Sequence, residues 1–277
     1  MIRRFAIYAA PGSGSADGTG ALLRERAEQW LGRAVSGHPV APGIPAGWTR
    51  AAIDAITVDA RRYGFHATLK APFRLAEGRT AEELDAAVAR FAAARDAAVI
   101  PRLSLMRLGG FFALVPGAES KELQALADDV VTGFDGFRAP LTAAEVARRR
   151  PESLTPRRRE LLSTWGYPYV LEEFKLHLTL TDQLPPQRWP ELERTLTDWF
   201  APLLGAAVPV DSVAVFTEAG PGAPFALHSV HPLRPAPAAR AAVARTESAR
   251  TESARTESAR TESARTESAR TESEGAR

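Results

Sequence analysis

Two segments that alternate between apolar and polar residues constrain the fold of this chain more than any other feature. Residues 63–69 (YGFHATL) and 174–180 (FKLHLTL) begin 111 positions apart and share the pattern His-x-Thr-Leu. Successive side chains of a strand point to opposite faces. Each segment therefore predicts a strand with an apolar face and a second face that presents histidine and threonine together.

The elements around these two segments repeat in the same order, which is strand, helix, strand, strand. This order predicts an α+β protein with two pseudo-symmetric lobes, each an antiparallel sheet with outer helices. Further strands are expected over 5–10, on both sides of Gly109-Gly110, over 208–217 and over 224–230. The predicted divisions are an N-terminal lobe (1–118), a helical insert (119–166), a C-terminal lobe (167–235) and a tail (236–277).

The tail consists mainly of a short repeat, TESAR, which occurs five times over 246–270 and is followed by TESEGAR. It has no large apolar residue, and a five-residue period keeps no face of a helix constant. Its weak charge pairs cannot offset an ordering entropy of about 1–2 kcal/mol per residue. We expect the tail to be disordered and its proteolytic removal to leave activity intact.

Composition excludes several classes of protein. The chain contains no cysteine, so a disulfide scaffold, a thiolate zinc site and a cysteine nucleophile are ruled out. A formal net charge of +2 makes nucleic acid an improbable partner. No apolar run reaches the ~20 residues of a membrane helix, and a cytoplasmic protein is expected. No histidine spacing typical of a metal site occurs, and no metal or cofactor is expected.

The polar faces of the two predicted strands carry residues suited to phosphodiester cleavage. One neutral imidazole can accept a proton from water, and one imidazolium can donate a proton to the leaving oxygen. Threonine hydroxyls can donate hydrogen bonds to the non-bridging phosphate oxygens. The candidate catalytic residues are His66, Thr68, His177 and Thr179. Which histidine acts as acid and which as base is left open.

Further residues are candidates for substrate binding, namely Lys70, Lys175, Tyr8 and Thr181. The lysines could equally be ordinary surface charges, and Tyr8 could be a packed aromatic residue. Core packing is also the interpretation for Tyr63, Tyr167 and Tyr169. Two arginine runs, 148–150 and 157–159, could bind a second phosphate, although such runs are typical of solvated helix faces.

The paired His-x-Thr segments resemble those of the 2H phosphoesterase superfamily. Flanking sequences are similar to the branch encoded in bacterial phosphonate-utilisation operons, and the similarity spans about residues 5–233. The segments that carry it are FAIYAAP, WLGR, YGFHATLKAPF, GGFFALVP, FRAPL, LTPRRRELLSTWGYPYV and FKLHLTLT. The resemblance implies a duplicated fold with both His-x-Thr pairs as the catalytic set. It also implies that the chain hydrolyses 5-phosphoribosyl 1,2-cyclic phosphate during carbon–phosphorus bond breakdown.

Three functions remain open at this stage. The first is a metal-independent cyclic phosphodiesterase that acts on a small sugar phosphate or nucleotide. The second is an enzyme that processes RNA 2′,3′-cyclic phosphates or 2′,5′-linkages, which would show steeply salt-dependent RNA binding. The third is a non-catalytic module that binds a phosphate ligand without turnover.

Overall fold

The computed structural model describes residues 3–14, 18–41 and 43–236, over which the chain forms nine strands and eight α-helices. The predicted tail lies outside the described residues from position 237 onward. The strands are β1 (Arg4–Ala9), β2 (Ala67–Phe73), β3 (Ala98–Ile100), β4 (Leu103–Leu108), β5 (Phe111–Pro116), β6 (Leu178–Thr179), β7 (Val208–Val210), β8 (Ser212–Glu218) and β9 (Phe225–Pro232). The helices are α1 (Gly18–Leu31), α2 (Arg50–Asp54), α3 (Val58–Tyr63), α4 (Ala81–Ala94), α5 (Lys121–Gly133), α6 (Ala143–Arg148), α7 (Pro156–Trp165) and α8 (Trp189–Phe200).

Seven of these strands form one antiparallel sheet in the order β4-β5-β6-β2-β1-β8-β9. β3 and β7 form a separate antiparallel pair. This architecture confirms the predicted α+β class with an antiparallel sheet and packed helices.

The strand order mixes the two predicted lobes. β1 pairs with β2 on one side and with β8 on the other, and the short β6 lies between β5 and β2. Dividing the sheet at the β2–β6 contact leaves strands from both predicted lobes on each side. The predicted boundaries at 118 and 166 therefore do not mark the halves of the sheet.

The main core lies on one face of the sheet. Alternation along β1 turns Phe5, Ile7 and Ala9 towards it, while Tyr8 belongs to a smaller cluster on the opposite face. The four longest described helices supply the other side of the main core, through residues such as Leu23, Trp30, Leu84, Val88, Leu123, Val130, Leu192 and Leu196. The helices thus cover one face and leave the other for a cavity.

Local signals for turns and helix starts hold in the structure. Thr80 caps α4 and Thr142 caps α6, each in a reciprocal capping box with the glutamate three positions later. Gly109, at φ 61°, makes the turn between β4 and β5. α5, which belongs to the predicted insert, packs in the main core. No helix in the described part of the chain has the length and apolar character needed to cross a bilayer.

The two motif strands are shorter than the alternation predicts. β2 begins at Ala67 because α3 extends to Tyr63, and β6 contains only Leu178–Thr179. In both places the imidazole contacts the backbone carbonyl two residues before it, at Gly64 and Lys175. A carbonyl that accepts this bond is engaged by the side chain, so regular strand pairing starts only after each histidine.

Candidate active site

The pairing of β2 with β6 brings the two His-x-Thr motifs side by side. Ala67 lies opposite Leu178 in an antiparallel register. This register puts His66 across from Thr179, and Thr68 across from His177, all on the same face of the sheet. Directly opposite residues on neighbouring strands have Cβ atoms about 4.5–5.5 Å apart. Four residues from distant parts of the sequence therefore form one cluster.

Both histidines are held in the same tautomer. Nδ1 of His66 lies 2.8 Å from the Gly64 carbonyl oxygen, and Nδ1 of His177 lies 2.8 Å from that of Lys175. A carbonyl oxygen only accepts hydrogen bonds, so Nδ1 must carry the proton and donate it. In the neutral rings, Nε2 keeps its lone pair. The Thr68 hydroxyl lies 3.2 Å from Nε2 of His66 and donates to it.

The surroundings of His66 disfavour its charged form. Its ring stacks on that of Tyr8, with centroids 3.8 Å apart, and Phe216 lies close by. Burial lowers the pKa of His66 to about 4, against an upward effect of the Gly64 carbonyl and with a further lowering by the charge of His177. At neutral pH the His66 imidazole is therefore uncharged and able to accept a proton.

A cavity of about 540 Å³ opens on this face of the sheet. This volume is in the range of small-molecule sites. His177 is not part of the lining, but its ring lies 6.0 Å from that of Phe111, which is. The described residues contain no group of three or more histidine and acidic side chains placed to hold a metal ion. The lining includes Arg4, Tyr8, Tyr63, His66, Thr68, Phe111, Arg149, Tyr167, Thr179, Thr181 and Asp182.

Tyr8 and Thr181, two of the predicted substrate-binding residues, line this cavity. Tyr8 is fully buried, and its hydroxyl has no hydrogen-bond partner among the described residues. A buried polar atom without a partner is unfavourable, so a ligand atom or water is expected to complete it. The Thr181 hydroxyl is already engaged, because it accepts from the Phe112 amide and donates to the Asp182 carbonyl.

The two predicted lysines lie elsewhere. Lys70 is buried, and its ammonium donates to the Val131 carbonyl at 3.0 Å and to the Asp135 carboxylate at 3.1 Å. Burial lowers the pKa of Lys70, and Asp135 opposes that effect. Lys175 is exposed and lines a separate cavity beside α5. The prediction that these lysines share the polar face with the motifs is therefore wrong.

A bulge in β2 explains the position of Lys70. Tyr8 lies opposite Thr68, but the next pair along is Ile7 with Lys70, so Leu69 is the extra residue in β2. A bulge interrupts the alternation of side chains between the two faces. Thr68 consequently shares the cavity face with Tyr8, whereas Lys70 shares the core face with Ile7 and meets α5.

Three lining residues were not predicted as functional, namely Tyr63, Tyr167 and Arg149. Arg149 lies over the ring of Tyr167, with its guanidinium carbon 4.8 Å from the ring centroid. The only sequence signals were the position of Tyr63 three residues before His66 and the position of Tyr167 after a helix-ending glycine. Nothing in an arginine run indicates which member turns inward.

Comparison with known proteins gives matches over most of the chain. A protein from Janthinobacterium sp. (strain Marseille), named ribose 1,5-bisphosphate phosphokinase PhnN, is 40% identical over 234 residues, which are 81% of this chain and 49% of that protein. A protein of the same name from Laribacter hongkongensis (strain HLHK9) is 36% identical, over 81% of this chain and 50% of its own length. The chain thus spans about half the length of the curated relatives it matches.

Solved structures with a similar fold include E. coli LigT in complex with 3′-AMP and the Thermus thermophilus protein TT0787. Their sequence identities are 14% and 18%, each with a TM-score of 0.37 and coverage of 84% of this chain. The matches cover 99% and 98% of those structures. Likenesses of this size concern the fold alone.

The match to a family model is the most extensive statement of kinship. The model described as "Protein of unknown function (DUF1045)" matches residues 68–226. This range includes Thr68 of the first motif, the whole second motif and every element from β3 to β8. The chain therefore belongs to the DUF1045 family.

Proposed function

We propose that this protein is a phosphoric diester hydrolase that opens a cyclic phosphate on a small sugar phosphate, using two histidines of a 2H phosphoesterase site. The observation that carries the proposal is the β2–β6 register, which sets each histidine opposite the threonine of the other motif. Hydrogen bonds from Nδ1 to the backbone leave both Nε2 atoms available for proton transfer.

The reaction needs one proton acceptor and one proton donor. Water attacks phosphorus and gives its proton to Nε2 of His66, whose low pKa keeps it neutral. The ring P–O bond breaks, and the leaving sugar oxygen takes a proton from Nε2 of a protonated His177. The product is a phosphate monoester with a free hydroxyl. Because the imidazoles make both transfers, the reaction as written requires no metal.

The threonines would stabilise the charge that develops on phosphate. Thr68 and Thr179 line the cavity beside the histidines. When substrate binds, the Thr68 hydroxyl would exchange its bond to His66 for one to a non-bridging oxygen. Donors already in position when charge develops lower the barrier.

The name of the relatives supports a ribose substrate. Opening 5-phosphoribosyl 1,2-cyclic phosphate at the bond to O2 leaves the phosphate on O1, which gives ribose 1,5-bisphosphate. This is the compound in the name of the two relatives. The kinase activity in that name is not proposed for this chain. None of its lysines (Lys70, Lys121, Lys175) stands in a phosphate-binding G-x-x-x-x-G-K-[ST] loop.

Phosphorus NMR tests the proposal directly. The purified protein is incubated with 5-phosphoribosyl 1,2-cyclic phosphate, ribose 1,2-cyclic phosphate and a nucleoside 2′,3′-cyclic phosphate, with and without EDTA. We expect ring opening of a ribose 1,2-cyclic phosphate to a 1-phosphate, unchanged by EDTA. Turnover of the nucleoside substrate alone would favour RNA-end processing, and binding without turnover of any substrate would contradict a hydrolase.

A further inference from the structure

Arg149 differs from the other five arginines of the two basic runs. Arg148 and Arg150 are exposed, whereas Arg149 is half-buried and lines the cavity. Arg157 and Arg158 pair with Glu172 and Glu173, and Arg159 donates to the Leu154 carbonyl. Folding of the α6–α7 region therefore brings one arginine of the six to the candidate active site.

The guanidinium of Arg149 is held in place by an aromatic ring and not by an acid. It lies over Tyr167, and among the described residues no carboxylate forms an ion pair with it. The other arginine in the lining, Arg4, is bound to buried Glu218 at 2.6 Å. Arg149 is consequently the arginine in this cavity whose donors are available to a ligand.

The end of the cavity near Arg149 also contains tyrosine hydroxyls. Tyr167 is half-buried beside Arg149, and burial raises its pKa. Tyr63 and Tyr167 both influence the raised pKa of Tyr8, which indicates that the three phenols lie near one another. The Tyr8 hydroxyl has no partner among the described residues. A guanidinium fork with neutral hydroxyl donors beside it matches the oxygens of a phosphate monoester.

We propose that Arg149 and the neighbouring tyrosine hydroxyls form a second anion subsite, which binds a phosphomonoester at the end of the substrate remote from the reacting ring. The subsite rests on the proposed function and makes the enzyme selective for cyclic phosphates that carry a further phosphate. Arg149 is then a specificity-determining residue that takes no part in proton transfer.

Two matched substrates separate this role from catalysis. 5-Phosphoribosyl 1,2-cyclic phosphate and ribose 1,2-cyclic phosphate share the reacting ring and differ only in the 5-phosphate. For Arg149→Gln we expect kcat/KM to fall roughly 10- to 100-fold with the first, mainly through KM, and to change less than about threefold with the second. Arg149→Lys, which keeps the charge but not the fork, is expected to lie in between. Arg148→Gln removes an exposed neighbour of the same charge and is expected to match wild type.

A binding measurement keeps the subsite testable if no ring is opened. Calorimetry with the two intact substrates in a His177→Ala background gives the contribution of the 5-phosphate to affinity. We expect that contribution to disappear in Arg149→Gln and to persist in Arg148→Gln. Its loss in Arg149→Gln without turnover by the wild type would uphold the subsite and contradict the hydrolase. Equal losses with both substrates, an unchanged 5-phosphate preference, or binding of neither ligand would overturn the subsite.

Discussion

At the scale of single residues, each histidine is oriented by the backbone of its own motif. The carbonyl two positions earlier fixes the proton on Nδ1, at Gly64 for His66 and at Lys175 for His177. This bond is local to the motif, so the same four-residue stretch produces the same tautomer in two unrelated sequence surroundings. The environments then differ, because His66 is stacked on Tyr8 while the bond of His177 is exposed to solvent.

Replacing either histidine should nearly abolish ring opening. We expect kcat to fall about 10²- to 10⁴-fold in His66→Ala and in His177→Ala, because each removes one of the two proton transfers. Steady-state rates with the cyclic phosphate measure this loss. His38→Ala, which changes an exposed histidine bonded to Ser36, is the control and should keep full activity. Full activity in either motif variant would contradict the mechanism.

The pH dependence of kcat/KM should identify the base. Because the pKa of His66 is about 4, the ring stays neutral at pH 5, where an ordinary histidine is mostly protonated. The acidic limb of the profile is therefore expected near pH 4. The residual activity of His66→Ala should lack this limb. An acidic limb near pH 6.5 in the wild type would argue against His66 as the base.

Tyr8→Phe should separate the cost of a buried hydroxyl from its use. The hydroxyl has no partner in the described structure, so its removal should leave the free energy of unfolding unchanged or raise it by about 1 kcal/mol. If the hydroxyl donates to substrate, KM should rise roughly 2- to 10-fold. Denaturant unfolding and steady-state kinetics on the same preparation measure both effects. A clear loss of stability would show that Tyr8 has a structural partner.

At the scale of elements, the sequence pattern predicts the motif residues correctly but fails at the bulge. Alternation predicts that His66 and Thr68 share a face, and the helix caps at Thr80 and Thr142 follow from local hydrogen-bonding groups. The extra residue in β2 depends on pairing with β1, which no local pattern records. The direction of Lys70 and the inward turn of Arg149 are set in this way by tertiary packing.

Lys70→Met should affect stability and leave catalysis unchanged. The substitution removes an ammonium that satisfies the Val131 carbonyl and the Asp135 carboxylate. Asp135 keeps Arg138 as a partner, so we expect the free energy of unfolding to fall by about 1–3 kcal/mol. Thermal unfolding measures the loss, and Lys175→Met, at an exposed position, is the control. A large rise in KM in Lys70→Met with unchanged stability would restore Lys70 as a substrate ligand.

At the scale of the whole molecule, the order of the strands is what the sequence reveals least. A repeat of pattern predicts two similar lobes, but the partners of β1 are strands about 60 and about 200 residues away along the chain. Hydrophobic periodicity specifies which side chains are buried and does not specify which strand lies beside which. The cavity therefore could be predicted as a meeting of two motifs, but not as a surface shared with Tyr8 and the α6–α7 region.

The buried His66 should make global stability depend on pH. Its pKa is about 4 in the folded protein and about 6.5 when unfolded, so the unfolded chain binds more protons between these values. The free energy of unfolding should therefore fall as pH drops from 6.5 to 4, by up to about 1 kcal/mol per pH unit. Denaturant unfolding of wild type and His66→Gln measures this, because the variant lacks the titrating group. Parallel profiles would show that the ring is not buried in the native state.

The central position of β1 also orders events during synthesis. Arg4–Ala9 leaves the ribosome first, yet its long partner, Ser212–Glu218, is among the last ordered segments to be translated. Until then the nascent chain carries an apolar strand with one open edge, which can pair with other chains. Because Tyr8 lies on that strand, the phosphate pocket is completed only when translation has nearly finished.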